Sequence, residues 1–264
     1  MTIRVGVVGA TGKMGRVVCA AIADDRELEL VAAVGRRNAG RPLSEFVERD
    51  GAGLTVRDRL EALTEAKADV AVDFTTPDAV MANARWYASH HLNAVIGTTG
   101  ITAQQIDEMR TLISKNGTNF VVAPDFSHGG AVMVQLAQLA AKYFPEVEII
   151  ETKLPSKLDS PSGTSMNTAR QVAKARAQGE AASSHEVVPG ARGGDVEGVH
   201  VHSLRLSGPA SIEEARFARP GEYLVISLTS LDRAPYVAGA IRAIKAVGTR
   251  PGFTFGFASL IDGD

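Results

Sequence analysis

The opening of the chain constrains its fold more than any other stretch. Ile3 to Gly9 is a predominantly apolar run, and Gly9-Ala10-Thr11-Gly12-Lys13-Met14-Gly15 leads from it into an alanine- and valine-rich segment, Arg16 to about Ala23. Such a run bounded by glycine reads as a buried strand, the segment after it as a helix, and Leu28 to Val34 as a second strand. The alternation continues through Val70 to Phe74, a helix from about Asp78 to Ser89, Ala94 to Gly97, a helix from Ala103 to Lys115, and Phe120 to Ala123. Buried strands alternating with helices predict an α/β fold, a Rossmann-type, doubly wound parallel sheet.

In that position three glycines have a physical use. Without side chains at Gly9, Gly12 and Gly15, backbone amides can approach a pyrophosphate, while the helix that follows directs its positive end at the same group. Gly9, Thr11, Gly12, Lys13, Met14 and Gly15 are therefore candidates for binding a dinucleotide. The end of the second strand bears on which one. Folds selective for NAD usually place an acid there, whereas this chain has Val34-Gly35-Arg36-Arg37. Two arginines suit an adenosine 2′-phosphate, so NADPH is expected, with NADH possible; two solvated loop arginines are the competing reading. Phe74-Thr75 and Gly97-Thr98-Thr99-Gly100 lie just past strand carboxyl ends, where such sheets bind ligands. Thr98 and Thr99 suit a nicotinamide amide or, equally, a helix-capping turn.

After Pro124 the pattern changes. A helix from about Ala131 to Tyr143, a strand from Glu146 to Glu151, a helix from about Thr164 to Ala177, a polar stretch from Gln178 to Ser184, and strands at His200 to Leu206, Ala210 to Phe217 and Glu222 to Thr229 predict an α+β domain with a mixed or antiparallel sheet. A last helix, about Val237 to Val247, is expected to return to the first domain. The boundaries that follow are 1–125 with 235–264 for dinucleotide binding and 126–234 for substrate binding and oligomerisation.

Composition narrows the partners. The 264 residues carry a formal charge of −2, with no basic surplus for nucleic acid. Cys19 is the single cysteine, no zinc-type spacing occurs, and no metal is expected. The chain enters its first strand without a charged leader, and no run of about 18 apolar residues predicts a membrane span. A cytoplasmic protein acting on a small molecule is the expectation.

The chemistry of that molecule is written in Lys153-Leu154-Pro155-Ser156-Lys157-Leu158-Asp159-Ser160-Pro161-Ser162-Gly163-Thr164. The amides of Ser162, Gly163 and Thr164 at a helix start, with Lys157 close by, suit a carboxylate. Lys153 reads either as a second anion-holding group or as an exposed strand-end lysine. A small carboxylated substrate is expected.

Together, Gly9 to Gly15, Asp73-Phe74-Thr75, Gly97 to Gly100, Ala123-Pro124-Asp125-Phe126-Ser127 and Lys157 to Thr164 closely resemble the dihydrodipicolinate reductase family, also called 4-hydroxy-tetrahydrodipicolinate reductase. Pro189 to Asp195, His202 to Gly208 and Ser230-Leu231-Asp232-Arg233 extend the likeness over the chain. The resemblance implies an NAD(P)H-dependent oxidoreductase of lysine and diaminopimelate synthesis that transfers hydride to a cyclic unsaturated imine dicarboxylate. It further implies a homotetramer, Asp125 and Phe126 beside the cofactor, Lys157 in carboxylate contact and proton donation, and Ser162, Gly163 and Thr164 around that carboxylate. It also implies two adjacent histidines, the first catalytic, where this chain has Lys153-Leu154; His-Asp where it has Leu228-Thr229; and asparagine at Asp125.

An imidazole titrates near 6.5 and a lysine near 10.4, so the exchange changes the proton chemistry. Lys157, Lys153 and His128 remain as catalytic candidates, His128 competing with helix-cap and surface readings. The resulting expectation is a reductase of this type, divergent in lacking the His-His pair, acting on an altered cyclic imine or conjugated imine/enamine carboxylate. A genuine 4-hydroxy-tetrahydrodipicolinate reductase is the alternative, and a non-catalytic NADPH- and carboxylate-binding sensor the second.

Overall fold

The computed structural model describes residues 2–48, 53–176 and 185–261, so the polar stretch 178–184 lies outside the described residues. It divides into two units, Met1–Ser127 with Tyr236–Asp264, and His128–Pro235. The chain begins with β1 (Ile3–Val8), α1 (Lys13–Asp24), β2 (Leu28–Val34), α2 (Glu61–Glu65), β3 (Val70–Asp73), α3 (Pro77–Ser89), β4 (Asn93–Ile96), α4 (Ala103–Asn116) and β5 (Phe120–Val122). It continues with α5 (His128–Ala141), β6 (Glu146–Lys153), α6 (Gly163–Ala175), β7 (Gly194–Val196), β8 (Val199–Arg205), β9 (Ser211–Arg219) and β10 (Glu222–Ser230). It ends with α7 (Ala234–Val247), β11 (Phe253–Phe255) and α8 (Ala258–Ile261).

In the first unit six parallel strands lie in the order β11-β5-β4-β3-β1-β2. β3 is buried at every residue, which is why it reads as an apolar run rather than an alternation. One side of the core joins Ala71, Ala94 and Ile96 to Tyr87 of α3 and Met109 and Ile113 of α4. Sequence signals set the helix ends: Pro77 starts α3, a Thr102–Gln105 capping box starts α4, and left-handed Gly117 ends it. From β1 the order runs outward to β2 on one side and to β3, β4 and β5 on the other. The switch point therefore lies at the carboxyl ends of β1 and β3.

The second unit has a mixed sheet, β10-β9-β6-β8-β7, in which β6 and β8 are parallel and the other neighbours antiparallel. Residues of α5 and α6 cover one face, packing Met133, Ala137, Ala169 and Val172 on Val147, Ile149, Val201, Ala215 and Phe217. Along β6 this covered face changes character. Val147 and Ile149 are followed by Glu151 and Lys153, and their register partners Ser203, Arg205, Glu213 and Ser211 are polar too.

Several elements differ from expectation. α5 starts at His128 rather than Ala131, since Gly129 and Gly130, poor helix formers, are held by packing: a Cβ on Gly129 would lie 2.6 Å from Leu228 Cδ1. α6 starts one residue earlier than expected, at Gly163. α2, β7, β11 and α8 span three to five residues each, too short to show a period; β11 is a strand because it pairs with β5.

Candidate active site

At the nucleotide end, the glycine motif is tight for its own reasons. Gly9 has φ +81°, and a Cβ there would lie 2.6 Å from the Phe74 carbonyl oxygen; one on Gly15 would lie 2.1 Å from Gly9 O. The room that the sequence assigns to a phosphate is filled at both positions by the chain itself, because strand, turn and helix pack directly on one another. Gly12 is the exposed N-cap of α1 and supplies no side-chain cap, which leaves the helix start open to an anion. Thr11 Oγ1 accepts a hydrogen bond from Asn38 Nδ2 at 3.0 Å, and its carbonyl accepts one from Arg16 Nε at 2.8 Å. Lys13 and Met14 begin the helix.

A cavity of about 360 Å³ opens here, at the switch point, lined among others by Gly9, Val34, Arg36, Asp58, Thr75 and Asn83. Arg36 and Arg37 share a short 3-10 turn and are both exposed, yet only Arg36 is among the lining residues. Beside the cavity Asp73, fully buried, organises the loop after β3. Its Oδ1 accepts from Thr75 N at 2.9 Å, Thr75 Oγ1 at 2.6 Å and Thr98 Oγ1 at 3.4 Å; its Oδ2 accepts from Asn83 Nδ2 and Tyr87 Oη, each at 2.8 Å. Burial, and then this carboxylate, push the Tyr87 phenol well above its ordinary range. The phenol stays a donor. Gly97 fits under two rings: a Cβ would lie 2.1 Å from Phe74 Cε1 and 3.0 Å from Phe126 Cε2. Those rings meet edge to face at 6.1 Å, Asp125 accepts the Ser127 N–H, and half-buried Thr99 follows Thr98.

The second unit gathers the lysine stretch at the polar end of its covered face. Lys153 is 8% exposed, and its Nζ donates to Ser211 Oγ at 2.5 Å; among the described residues no carboxylate pairs with it. Half-buried Lys157 pairs with Asp159 at 2.8 Å. α6 opens at Ser162, whose hydroxyl accepts from Ser165 N. Its own N–H, however, is given to Glu151, 3.1 Å from each carboxylate oxygen. Of the three amides proposed for a carboxylate, the Ser162 amide is thus taken, and those of Gly163 and Thr164 head the helix. His128, the first residue of α5, is exposed. The described residues contain no group of His, Cys, Asp or Glu that would hold a metal, and no helix long and apolar enough to cross a membrane.

Residues 3–126 match the family profile "Dihydrodipicolinate reductase, N-terminus" and residues 129–261 the profile "Dihydrodipicolinate reductase, C-terminus". The chain belongs to the dihydrodipicolinate reductase family. It is 39% identical to the 4-hydroxy-tetrahydrodipicolinate reductase of Nocardia farcinica over 99% of this chain and 100% of that one, and 40% identical to that of Cutibacterium acnes over 98% of each. A dipicolinate-bound dihydrodipicolinate reductase from Paenisporosarcina sp. TG-14 superposes with a TM-score of 0.77 at 32% identity, covering 99% of this chain and 100% of that one. An amine dehydrogenase from Mycobacterium smegmatis, 15% identical with a TM-score of 0.67, shares the fold. As a dihydrodipicolinate reductase family member the chain is an NAD(P)H-dependent oxidoreductase, and the open α1 start, the adjoining cavity and Arg36 fit a nicotinamide dinucleotide.

In the sequence Asp73 and Arg205 stand only as members of motifs, and Asn38, Asp58 and Asn83 in the first unit and Glu151 and Glu213 in the second carry no site role. Two left a signal. Asp73 is an acid closing an all-apolar strand, and Glu151 sits in phase with Val147 and Ile149, where the alternation calls for an apolar residue. The others reach the site only through tertiary pairing.

Proposed function

We propose that this family member is a cytoplasmic, NADPH-dependent reductase that transfers hydride to a cyclic imine or conjugated imine/enamine carboxylate, altered from the substrate of its named relatives. One observation carries the reading: Lys153, where the family resemblance implies an imidazole, is a buried ammonium with a hydroxyl partner and, among the described residues, no carboxylate. A cation removed from water is costly unless an anion compensates it, so the group is suited to a ligand carboxylate. Lys157 and the Gly163 and Thr164 amides supply a second anion-holding position at the start of α6.

In the first unit Arg36 would meet the adenosine 2′-phosphate, the amides that open α1 the pyrophosphate, and the loops ordered by Asp73 the nicotinamide end. A nicotinamide, when bound, would supply the hydride. When that hydride reaches the carbon of C=N, the bond's electron pair passes to nitrogen, which takes one proton to become an amine. Lys157 or Lys153 would donate it, and the holding of the ring carboxylates orients the imine toward it.

A second reading keeps 4-hydroxy-tetrahydrodipicolinate as the substrate. It is favoured by relatives of that name at 37–40% identity over at least 98% of the chain. NADPH oxidation separates the two. The altered-substrate reading predicts turnover of roughly 1 per second or faster with a cyclic imine dicarboxylate other than 4-hydroxy-tetrahydrodipicolinate, and slower turnover of enzymatically generated 4-hydroxy-tetrahydrodipicolinate. The opposite ranking establishes the second reading. For the assembly we infer a homotetramer, formed through the uncovered face of the second sheet, where Leu204, Tyr223 and Val225 are exposed. Sedimentation equilibrium at four times the chain mass is the expected result, and a monomer at micromolar concentration overturns it.

A further inference from the structure

Beneath the anion-binding turn lies a carboxylate outside the roles so far assigned. Glu151 is 0% exposed, yet it is surrounded by donors from two segments. From α6 and its cap it receives the Ser162 N–H, at 3.1 Å, and the Ser165 hydroxyl, at 2.8 Å. From β8 it receives the Ser203 hydroxyl at 2.8 Å and forms an ion pair with Arg205 Nη2 at 3.0 Å. Arg205 then reaches the loop itself, donating from Nε to the Lys157 carbonyl at 3.2 Å and from Nη2 to the Asp159 carbonyl at 2.5 Å. One buried carboxylate therefore ties the first residue of the α6 cap, directly, and the loop carrying Lys157, through Arg205, to the floor of the sheet.

Glu151 lies opposite Glu213 in the β6–β9 register, 0% and 3% exposed, an arrangement that like charges disfavour. The Ser165 hydroxyl lies between them, 3.0 Å from Glu213 Oε2, and with one proton it donates to one carboxylate at a time. Each carboxylate has partners of its own: Glu213 accepts from Thr168 Oγ1 at 2.6 Å, while those of Glu151 belong to the α6 cap and, through Arg205, to the loop before it.

We propose that Glu151 is the positioning residue of the carboxylate site. It holds the α6 cap and, through Arg205, the Lys157–Asp159 loop in one arrangement, so that the Gly163 and Thr164 amides and the Lys157 ammonium are preorganised for a ligand carboxylate. The proposal rests on the reading that this turn binds carboxylates. It extends it by assigning the preorganisation to a residue that need not touch the ligand.

Two variants test it, Glu151→Gln and Arg205→Gln, with calorimetric titration of picolinate and dipicolinate into the NADPH-loaded protein and steady-state kinetics on the best imine substrate. The wild type is expected to bind at least one probe. Each variant should bind it at least tenfold more weakly and show a KM raised at least tenfold, with the Kd for NADPH within twofold of wild type. A merely structural defect would lower kcat by reducing the active fraction and leave KM and the probe Kd of the folded molecules unchanged; that result overturns the proposal. If Glu151→Gln does not fold, Arg205→Gln decides by the same readouts. A wild type that binds neither probe and is not inhibited by them contradicts the carboxylate reading itself, and the positioning role falls with it.

Discussion

Lys157 Nζ and Asp159 Oδ1 form an ion pair of 2.8 Å across the loop that leads into α6, with the lysine 35% and the aspartate 49% exposed. The ammonium that would meet a substrate carboxylate is thus already shared with a carboxylate of its own chain. Pairs this exposed contribute about 1 kcal/mol at most, which a ligand with further partners in the helix start can outcompete. Asp159→Asn is expected to lower KM by up to about fivefold at low salt, the equivalent of about 1 kcal/mol, with the gain fading as ionic strength rises. Lys157→Ala should raise KM by at least about tenfold, since hydrogen bonds to charged groups contribute about 1.5–3 kcal/mol. Initial rates at two salt concentrations check both.

The two arginines after β2 are not equivalent. Arg36 lines the cavity beside Gly9 and Val34, whereas Arg37 is not among its lining residues. Arg36→Ala is expected to raise the Kd for NADPH at least tenfold and that for NADH by less than threefold, and Arg37→Ala to change either by less. Fluorescence titration of both cofactors against both variants measures this. Equal losses for NADPH and NADH would show that Arg36 does not read the 2′-phosphate.

The glycine motif offers a stability test. At Gly15 a methyl group would lie 2.1 Å from the Gly9 carbonyl oxygen and 2.8 Å from Ala10 Cα, both backbone atoms that yield little; at Gly12 its nearest contact would be 3.1 Å. Gly15→Ala should therefore cost about 1–3 kcal/mol or more, as overpacking of a tight interior does, and Gly12→Ala far less. Denaturant unfolding of the two variants would show the contrast in midpoint.

Glu151 also predicts a pH dependence. Burial alone would raise its carboxyl, but hydrogen bonds from Ser162, Ser165 and Ser203 outweigh it and hold the group below its ordinary value. A carboxyl depressed by folding stabilises the folded state fully above its unfolded value, about 4.3, and that contribution is lost as pH falls through the lower folded value. Between about pH 5 and about pH 3 the melting temperature of Glu151→Gln should fall less steeply than that of the wild type. Parallel slopes would mean that the folded carboxyl is not depressed.

What the sequence made legible follows from range. The β1–α1 turn, the Thr102–Gln105 box and the Ser162 cap are local, with cause and effect a few residues apart, and the parallel sheet follows from apolar runs such as Val70 to Val72 alternating with helices. The site is less legible because its partners are distant. Ser211 lies 58 residues from Lys153, and Ser203 lies 52 from Glu151. No period links such pairs; strand register does. Ser162 is a further case: its amide looks available in the sequence and donates to Glu151 in the fold.

The central claim is that Lys153 serves as the counter-charge for a substrate carboxylate, and the KM of Lys153→Met for a cyclic imine carboxylate tests it most directly. Removing a charged hydrogen-bond partner from a buried site should raise KM by about ten- to a hundredfold, as about 1.5–3 kcal/mol implies. The Kd for NADPH should not move, and the melting temperature should hold or rise, because an apolar side chain replaces a buried cation that has no carboxylate partner among the described residues. An unchanged KM in a folded, NADPH-binding variant would contradict the account.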